Sequence, residues 1–258
     1  MKSPIESKSL SIPNMRSMPI WESILYFVLI TLLLIFCFYI ARPFLESSGM
    51  NEYTAYLLSL SLVGVVMLVW TFIALLREGN LKSKETFLNR MRFKRVNPGL
   101  IGWAVGLGLF MFLSTMIFSP LISRLISDGL IRIPDQIPDY INPVQQLSIS
   151  QIKAQLISQK VIFLIPIVLF INIIGEEFFW RGLVFPRQEL RHGKPTFIIH
   201  GLIWGFSHLF QYWLIVPILL GSFALSFLVQ RTKNTWIGIL AHFINNGLPF
   251  LILIFIPV

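Results

Sequence analysis

The sequence has 258 residues, of which 55% are hydrophobic and 13% charged, and a soluble domain usually carries about twice that charged share. Such a composition, with long apolar runs, is typical of an integral membrane protein and leaves little room for a separate soluble domain. The net charge of +9 does not indicate nucleic-acid binding, because the basic residues lie in short segments between apolar runs and not on one clustered face. The single cysteine, Cys37, excludes an intrachain disulfide.

Seven apolar runs have about the length that crosses a bilayer, and in lipid such runs must be helical because the backbone has to satisfy its own hydrogen bonds. We therefore expect an all-α, polytopic membrane helix bundle with about seven transmembrane helices, and with eight as the alternative. The predicted spans are 20–41, 53–76, 99–122, 161–185, 196–213, 214–229 and 236–258.

The domain organisation follows from these spans. Residues 20–258 are predicted to form a single membrane domain, preceded by a polar N-terminal segment, 1–19. The segment 123–160 differs from the other connections, because it holds three aspartates and three prolines and then an amphipathic stretch, 149–160. We expect an interfacial loop there, with a helical lead-in to the fourth span.

Lysine and arginine are distributed unequally over the predicted connections. Of the 21 basic residues, 15 lie in segments 1–19, 77–98, 186–195 and 230–235, which fall on one side of the membrane, and five fall on the other side. The positive-inside rule places the richer side in the cytoplasm. We therefore predict a multi-pass protein of the cell membrane with a cytoplasmic N-terminus.

Two adjacent carboxylates lie inside the fourth predicted span, where an ionisable side chain is costly and usually functional. Glu177 has Arg181 four residues further on, which predicts a structural ion pair on one helical face. Glu176 lies about 100° round the helix from Glu177 and has no cation one turn away; Asn172 shares its face. A carboxylate of this kind is suited to binding a metal or holding a proton.

Histidines occur in two later spans. His200 and His208 lie eight residues apart in the fifth span, with Trp204 between them, so these three residues are predicted to share a helical face. His242 lies in the seventh span, one turn before Asn246. Counted from the inner helix ends, Glu176, His208 and His242 reach a common zone between the midplane and the cytoplasmic face, whereas His200 falls nearer the surface. Two histidines and a carboxylate on three spans supply metal ligands or acid–base groups.

The arrangement resembles the CPBP family of intramembrane proteases, which includes CAAX prenyl endopeptidases of the Ras-converting type and bacteriocin-processing or immunity proteins. The family's motifs are Glu-Glu-x-x-x-Arg, Phe-x-x-x-His and His-x-x-x-Asn or Asp. They correspond here to residues 176–181, to residues 204–208, with Trp204 in place of phenylalanine, and to residues 242–246. The resemblance covers residues 161–258, which we expect to be the catalytic core.

The resemblance implies an intramembrane endopeptidase, a hydrolase in which Glu176 and His208 activate a water and His242 and Asn246 stabilise the oxyanion. The implied partners are membrane lipid and a membrane-associated peptide or protein, prenylated in the CAAX case, and no nucleic acid. Glu176, His208 and His242 also fit a catalytic zinc site with water in the fourth position, so a metalloprotease and a glutamate-type protease are both open.

Two other functions are compatible with the sequence. A catalytically inactive member of the family would act as a bacteriocin-immunity protein or as a regulatory scaffold. A proton-coupled transporter would use the intramembrane glutamate and histidines as a relay. The complete set of motif residues argues against an inactive member, and no pair of repeats with broken helices supports a transporter.

Overall fold

The computed structural model describes residues 15–134, 137, 149–158 and 160–255. Within these residues the fold is all-α, with nine helices and no strand, and six of the helices are long and apolar enough to cross a membrane. The predicted polytopic helix bundle is therefore confirmed. The helices are α1 (Ile20–Ser47), α2 (Glu52–Arg77), α3 (Lys84–Arg90), α4 (Pro98–Ser127), α5 (Ile149–Ser158), α6 (Val161–His192), α7 (Thr196–Phe206), α8 (Leu209–Thr232) and α9 (Thr235–Phe255).

Six predicted spans correspond to the long helices α1, α2, α4, α6, α8 and α9. The largest differences in their bounds are at the ends of α1 and α6, which continue for about two turns beyond the predicted span. The amphipathic stretch predicted over 149–160 forms α5. Residues 1–14 of the predicted N-terminal segment, and residues 135–136, 138–148 and 159 of the predicted interfacial loop, lie outside the described residues.

The predicted fifth span, 196–213, is not one continuous helix. The helix α7 ends at Phe206, and the next two side chains turn back towards the last turn. The hydroxyl of Ser207 and Nδ1 of His208 lie 2.7 and 3.0 Å from the carbonyl oxygen of Trp204. Such side-chain bonds compete with the helical backbone bonds, so the α-helix stops and a 3₁₀ segment opens α8.

This broken segment still crosses the bundle. Near the start of α7, the N–H of Phe197 donates to the side chain of Gln230, which lies at the end of α8. At the other end of the crossing, Tyr39 of α1 donates to the carbonyl of Phe210 at 2.7 Å. The described residues therefore traverse the bundle seven times, six times in a long helix and once in α7 with the 3₁₀ segment.

The basic connections meet at one end of the bundle. We call this the basic end; it consists of residues 15–19, 78–97, 185–195 and 230–235. The N–H of Met18 donates to the carbonyl of Arg187 at 3.0 Å, which joins the first and third of these segments. Glu189 pairs with Arg92 at 2.6 Å and also with Lys233, which joins the other two. The four segments thus form one continuous surface.

Close packing of α2 against α6 places the two motif carboxylates deep in the bundle. A Cβ on Gly175 would overlap the carbonyl oxygen of Gly64, and a Cβ on Gly64 would come within 2.6 Å of the Asn172 side chain. Small residues at a helix crossing are typical of membrane bundles, because they let the backbones approach closely. Since Gly64 lies near the middle of α2, Glu176, the neighbour of Gly175, lies near the middle of the bundle.

Candidate active site

Trp204 is the residue at which the three motif segments meet. Its indole is 3% exposed and lies edge-on to two histidines, with ring centroids 5.1 Å from His208 and 6.4 Å from His242. The guanidinium of Arg181 lies 3.9 Å from the centre of the Trp204 ring, in a cation–π contact. Groups from α6, from the junction of α7 and α8, and from α9 therefore surround one buried aromatic ring.

Glu177 links α6 to α9. Its Oε1 accepts a hydrogen bond from Nη1 of Arg181 at 2.9 Å and lies 3.1 Å from Nδ1 of His242. The Glu177 and Arg181 side chains are both 0% exposed. The second oxygen of Glu177 lies where a Cβ on residue 238 would be, and Gly238 leaves that space open. The structure thus contains the ion pair predicted from the spacing and adds a contact to His242 that the spacing did not indicate.

The contact with Glu177 fixes the proton on Nδ1 of His242 and so determines the role of Nε2. A carboxylate oxygen only accepts, so Nδ1 of His242 carries the proton. In the neutral ring Nε2 then has a lone pair, and in the charged ring Nε2 becomes a donor. The carboxylate of Glu177 supplies the counter-charge for the charged form. His242 is thus equipped to donate a hydrogen bond to developing negative charge.

His208 is held in one tautomer by the backbone. Its Nδ1 lies 3.0 Å from the carbonyl oxygen of Trp204, which can only accept, so Nδ1 carries the proton. In the neutral ring Nε2 therefore has a lone pair and can accept a proton from a water. The break in the helix after α7 makes this bond, so the local fold sets the chemistry of the ring.

One carboxylate oxygen of Glu176 makes no hydrogen bond within the described part of the chain. The residue is half-buried, and its Oε2 is buried without a hydrogen-bond partner among the described residues. Arg181, His208 and His242 all lie near enough to interact with its charge. An unsatisfied buried acceptor costs about 1–3 kcal/mol, so its presence suggests that water or substrate completes the site.

The neighbouring residue orients the side-chain amide of Asn246. Nδ2 of Asn245 donates to Oδ1 of Asn246 at 2.7 Å, and the NH₂ group of Asn246 is a donor. Asn246 lies one turn after His242, so the two side chains project from the same face of α9. Asn245 was not among the predicted site residues; the only sequence signal for it is the Asn-Asn pair.

His200 lies apart from these residues. Its ring is fully buried, with Nδ1 2.7 Å from Oε1 of Gln188 and the ring centroid 4.7 Å from that of Phe185. The helical face that His200 was predicted to share with His208 does not extend that far, because α7 ends before His208. His200 thus belongs to the packing between α7 and α6.

The side chains predicted to bind a zinc ion do not form a recognisable metal site among the described residues. Among the described residues, no group of three or more His, Cys, Asp and Glu side chains is arranged to hold a metal ion. The predicted zinc ligands Glu176, His208 and His242 lie near enough for their charges to interact, and Nδ1 of each histidine is engaged, at His208 by the Trp204 carbonyl and at His242 by Glu177. Each histidine could therefore offer a metal only its Nε2. The zinc site stays a prediction.

Residues 158–248 match a family model described as Rce1-like, Type II CAAX prenyl endopeptidase Rce1-like. The chain carries an Rce1-like domain of the CPBP family. This domain extends from the start of α6 into α9 and contains all three motifs, so the family predicted from the motifs is confirmed. The match supports an intramembrane CAAX-type protease in general. No curated protein and no solved structure matches the chain.

We expect Glu177→Gln to lower the stability of the protein. The substitution leaves Arg181 buried without a counter-charge and weakens the contact with His242. Removing one partner of a buried pair costs about 3–5 kcal/mol. Thermal unfolding of the purified protein in detergent, compared with the wild type, measures this loss.

Asp128→Asn is the control for this substitution. Asp128 pairs with Arg124 over the same four-residue spacing, but at 3.7 Å and with both side chains exposed. An exposed pair of this kind contributes less than about 1 kcal/mol. Equal loss of stability in the two variants would contradict the role of Glu177 as the link between α6 and α9.

Proposed function

We propose that this protein is an intramembrane endopeptidase that hydrolyses a peptide bond of a membrane-associated peptide or protein. The observation that carries the proposal is the convergence of Arg181, His208 and His242 round Trp204, with Glu176 near enough to interact with all three. A carboxylate oxygen without a partner, an imidazole lone pair, a second imidazole with its own counter-ion and an oriented amide are the groups that amide hydrolysis requires. The match to the Rce1-like family supports proteolysis independently of this geometry.

The proposed nucleophile is a water held by Glu176 and His208. Oε2 of Glu176 has no hydrogen-bond partner among the described residues, and Nε2 of His208 has a lone pair because Nδ1 carries the proton, so both can accept from a water. As the water oxygen attacks the carbonyl carbon, Glu176 takes up its proton as general base. When the C–N bond breaks, the same proton passes to the leaving nitrogen, so the carboxylate is restored.

The proposed oxyanion donors are on α9. Nε2–H of a charged His242 and the NH₂ group of Asn246 would donate to the oxygen of the tetrahedral intermediate. Donors that are already oriented, in a site of low dielectric, stabilise developing charge strongly, because they need no reorganisation during the reaction. Glu177 would keep the His242 ring oriented, and Asn245 would keep the Asn246 amide oriented.

We also propose that the basic end is cytoplasmic and that the substrate reaches the site from that end. The clustering of the basic connections supports this orientation. His242 lies seven residues into α9, about 10 Å from its start at the basic end, so a substrate anchored at that surface has only a short distance to cover. A peptide carrying a prenyl anchor near its C-terminus is the CAAX-type substrate that fits such a position.

The proposed orientation predicts the result of reporter insertions. A reporter inserted in segment 78–97 should behave as cytoplasmic, and one inserted at the exposed Gly49, between α1 and α2, should behave as external. Alkaline phosphatase and a fluorescent protein, which are active on opposite sides of the membrane, report on which side each insertion lies. An external result for segment 78–97 would contradict both the orientation and the cytoplasmic access of the site.

The catalytic role of Glu176 predicts the effect of Glu176→Gln. The amide preserves the shape of the side chain but cannot take up the proton of the water, so turnover should fall about 100- to 10,000-fold, the usual contribution of acid–base catalysis. The thermal unfolding of the variant should stay close to that of the wild type, since Glu176 is not part of the buried ion pair. Cleavage of a membrane-proximal fluorogenic peptide in proteoliposomes measures turnover.

Glu85→Gln is the control, because Glu85 is an exposed residue of α3 at the basic end and makes no contact with the site. Full activity in a folded Glu176→Gln protein would contradict the proposed base. Lack of any cleavage by the wild type, over a panel of anchored and unanchored peptides, would favour the non-catalytic immunity or scaffold function.

A further inference from the structure

Three consecutive residues at the basic end contact α6 and α9, two of the three segments that carry the candidate site. They are Arg90, Met91 and Arg92, at the end of α3, and we call them the 90–92 clamp. None of them belongs to the family motifs, and α3 lies outside the region that matches the family. Their side chains and carbonyls reach α6 next to Arg181 and α9 at its first residue.

On the α6 side, the clamp completes an irregular part of the helix. Residues Phe178–Val184 form a π-helix, and Pro186 follows it. Proline has no N–H, so the carbonyl of Gly182, four residues before it, lacks the donor that an α-helix would supply. Arg90 supplies one instead: its Nη1 donates to the Gly182 oxygen at 2.7 Å, and its Nη2 to the Leu183 oxygen at 3.3 Å.

A buried carboxylate fixes the position of Arg90. Nε and Nη2 of Arg90 donate to Glu78 at 2.7 and 3.2 Å, and Arg187 of α6 donates to the same carboxylate at 2.5 and 3.0 Å. Burial alone would raise the pKa of Glu78, but the hydrogen bonds and charges of the two arginines outweigh it and hold the pKa below its ordinary value. The Arg90 guanidinium, itself 0% exposed, is thus anchored between this carboxylate and α6.

The rest of the clamp reaches both helices. The Met91 side chain occupies the space that a Cβ on Gly182 would fill, so a larger residue at position 182 would displace the end of the Met91 side chain. On the other side, Thr235, the first residue of α9, donates its hydroxyl to the Met91 carbonyl at 2.6 Å and its N–H to the Arg92 carbonyl at 3.1 Å. Arg92 has a φ of 58°, in the left-handed region, where the chain turns at the end of α3.

We propose that the 90–92 clamp sets the spacing between α6 and α9, and that Arg90 is a positioning residue for the hydrolysis. The inference rests on the proposed function. The clamped carbonyl on α6 belongs to the residue after Arg181, whose guanidinium pairs with Glu177, and Glu177 in turn holds His242 of α9. The 90–92 clamp connects α6 to α9 at the basic end, and Glu177 connects the same two helices deeper in the bundle.

Loss of the clamp should affect the transition state more than the binding of substrate. A shift of α6 against α9 would change the distance between Glu176, the proposed base, and the donors His242 and Asn246. Misplacement of reacting groups by about 1 Å can cost about 100-fold in rate. A substrate anchored in the membrane, in contrast, would still bind.

Arg90→Lys is the test variant, because it keeps the positive charge but cannot bond the Glu78 carboxylate and two carbonyls together. We expect kcat to fall about 10- to 100-fold with KM within about twofold of the wild type. Arg187→Lys is the matched control: it disturbs the same Glu78 cluster without contacting Gly182, and its kcat should stay within about threefold of the wild type.

Thr235→Val tests the clamp from the α9 side. It removes the hydroxyl that bonds Met91 and preserves the shape of the side chain. We expect the same pattern, a lower kcat with an unchanged KM. The Thr235→Val variant should fold even if the Arg90→Lys variant does not.

Hydrogen exchange, measured by mass spectrometry on the purified protein, gives a readout that does not depend on activity. In Arg90→Lys, residues 178–184 and the first turn of α9 should both exchange faster than in the wild type, and in Arg187→Lys the first turn of α9 should not. If the wild type cleaves no substrate while the exchange follows this pattern, the proposed function fails and the clamp stands as the link between the helices. Unchanged exchange in Arg90→Lys, or equal losses of kcat in the two variants, would overturn the proposal.

Discussion

The buried carboxylate of Glu177 is the interaction on which the rest of the site depends. It lies between Arg181, on its own helix, and His242, on α9, in a setting where an uncompensated charge is very costly. Because each of the three groups needs the others, α6 and α9 cannot separate without stranding a charge. Arg181 bonds Glu177 through Nη1, whereas Glu176, one residue earlier, has a buried oxygen without a hydrogen-bond partner among the described residues.

Several local features of the chain allow this contact to form. Gly238 leaves room on α9 for the Glu177 carboxylate, and the Gly64–Gly175 crossing lets α6 lie deep against α2. The π-helix after Glu177 and the proline behind it would leave a carbonyl unsatisfied, and Arg90 from the basic end satisfies it. The site is thus supported from the middle of the bundle and from its surface. Both supports act on α6, the helix that carries the proposed base Glu176 and the ion pair of Glu177 and Arg181.

Much of the fold follows from the sequence, because hydrophobic length is decisive in a membrane. The apolar runs predict seven crossings, and the i,i+4 spacing of Glu177 and Arg181 predicts their ion pair. The break after α7 was missed, since the apolar run continues through Ser207 and His208 and only their side-chain bonds stop the helix. His208 consequently lies beyond the helical face from which its position was predicted.

The contacts between distant parts of the chain could not be predicted. Glu177 and His242 lie 65 residues apart, and nothing in the local pattern of either span indicates the other. Arg90 was counted only as one of the basic residues that set the topology, because a lysine or arginine in a loop usually does no more. The sequence does contain a signal for it in retrospect, namely a glycine and a proline four residues apart near the end of α6, which together create a gap and an unsatisfied carbonyl.

Single-turnover cleavage in proteoliposomes by the Asn246→Ala variant shows whether oriented donors on α9 assist the hydrolysis. We expect the rate of the chemical step to fall about 100- to 1000-fold, the usual loss for one oxyanion donor, with substrate binding unchanged. A cleavage rate equal to that of the wild type would contradict this role of the donors.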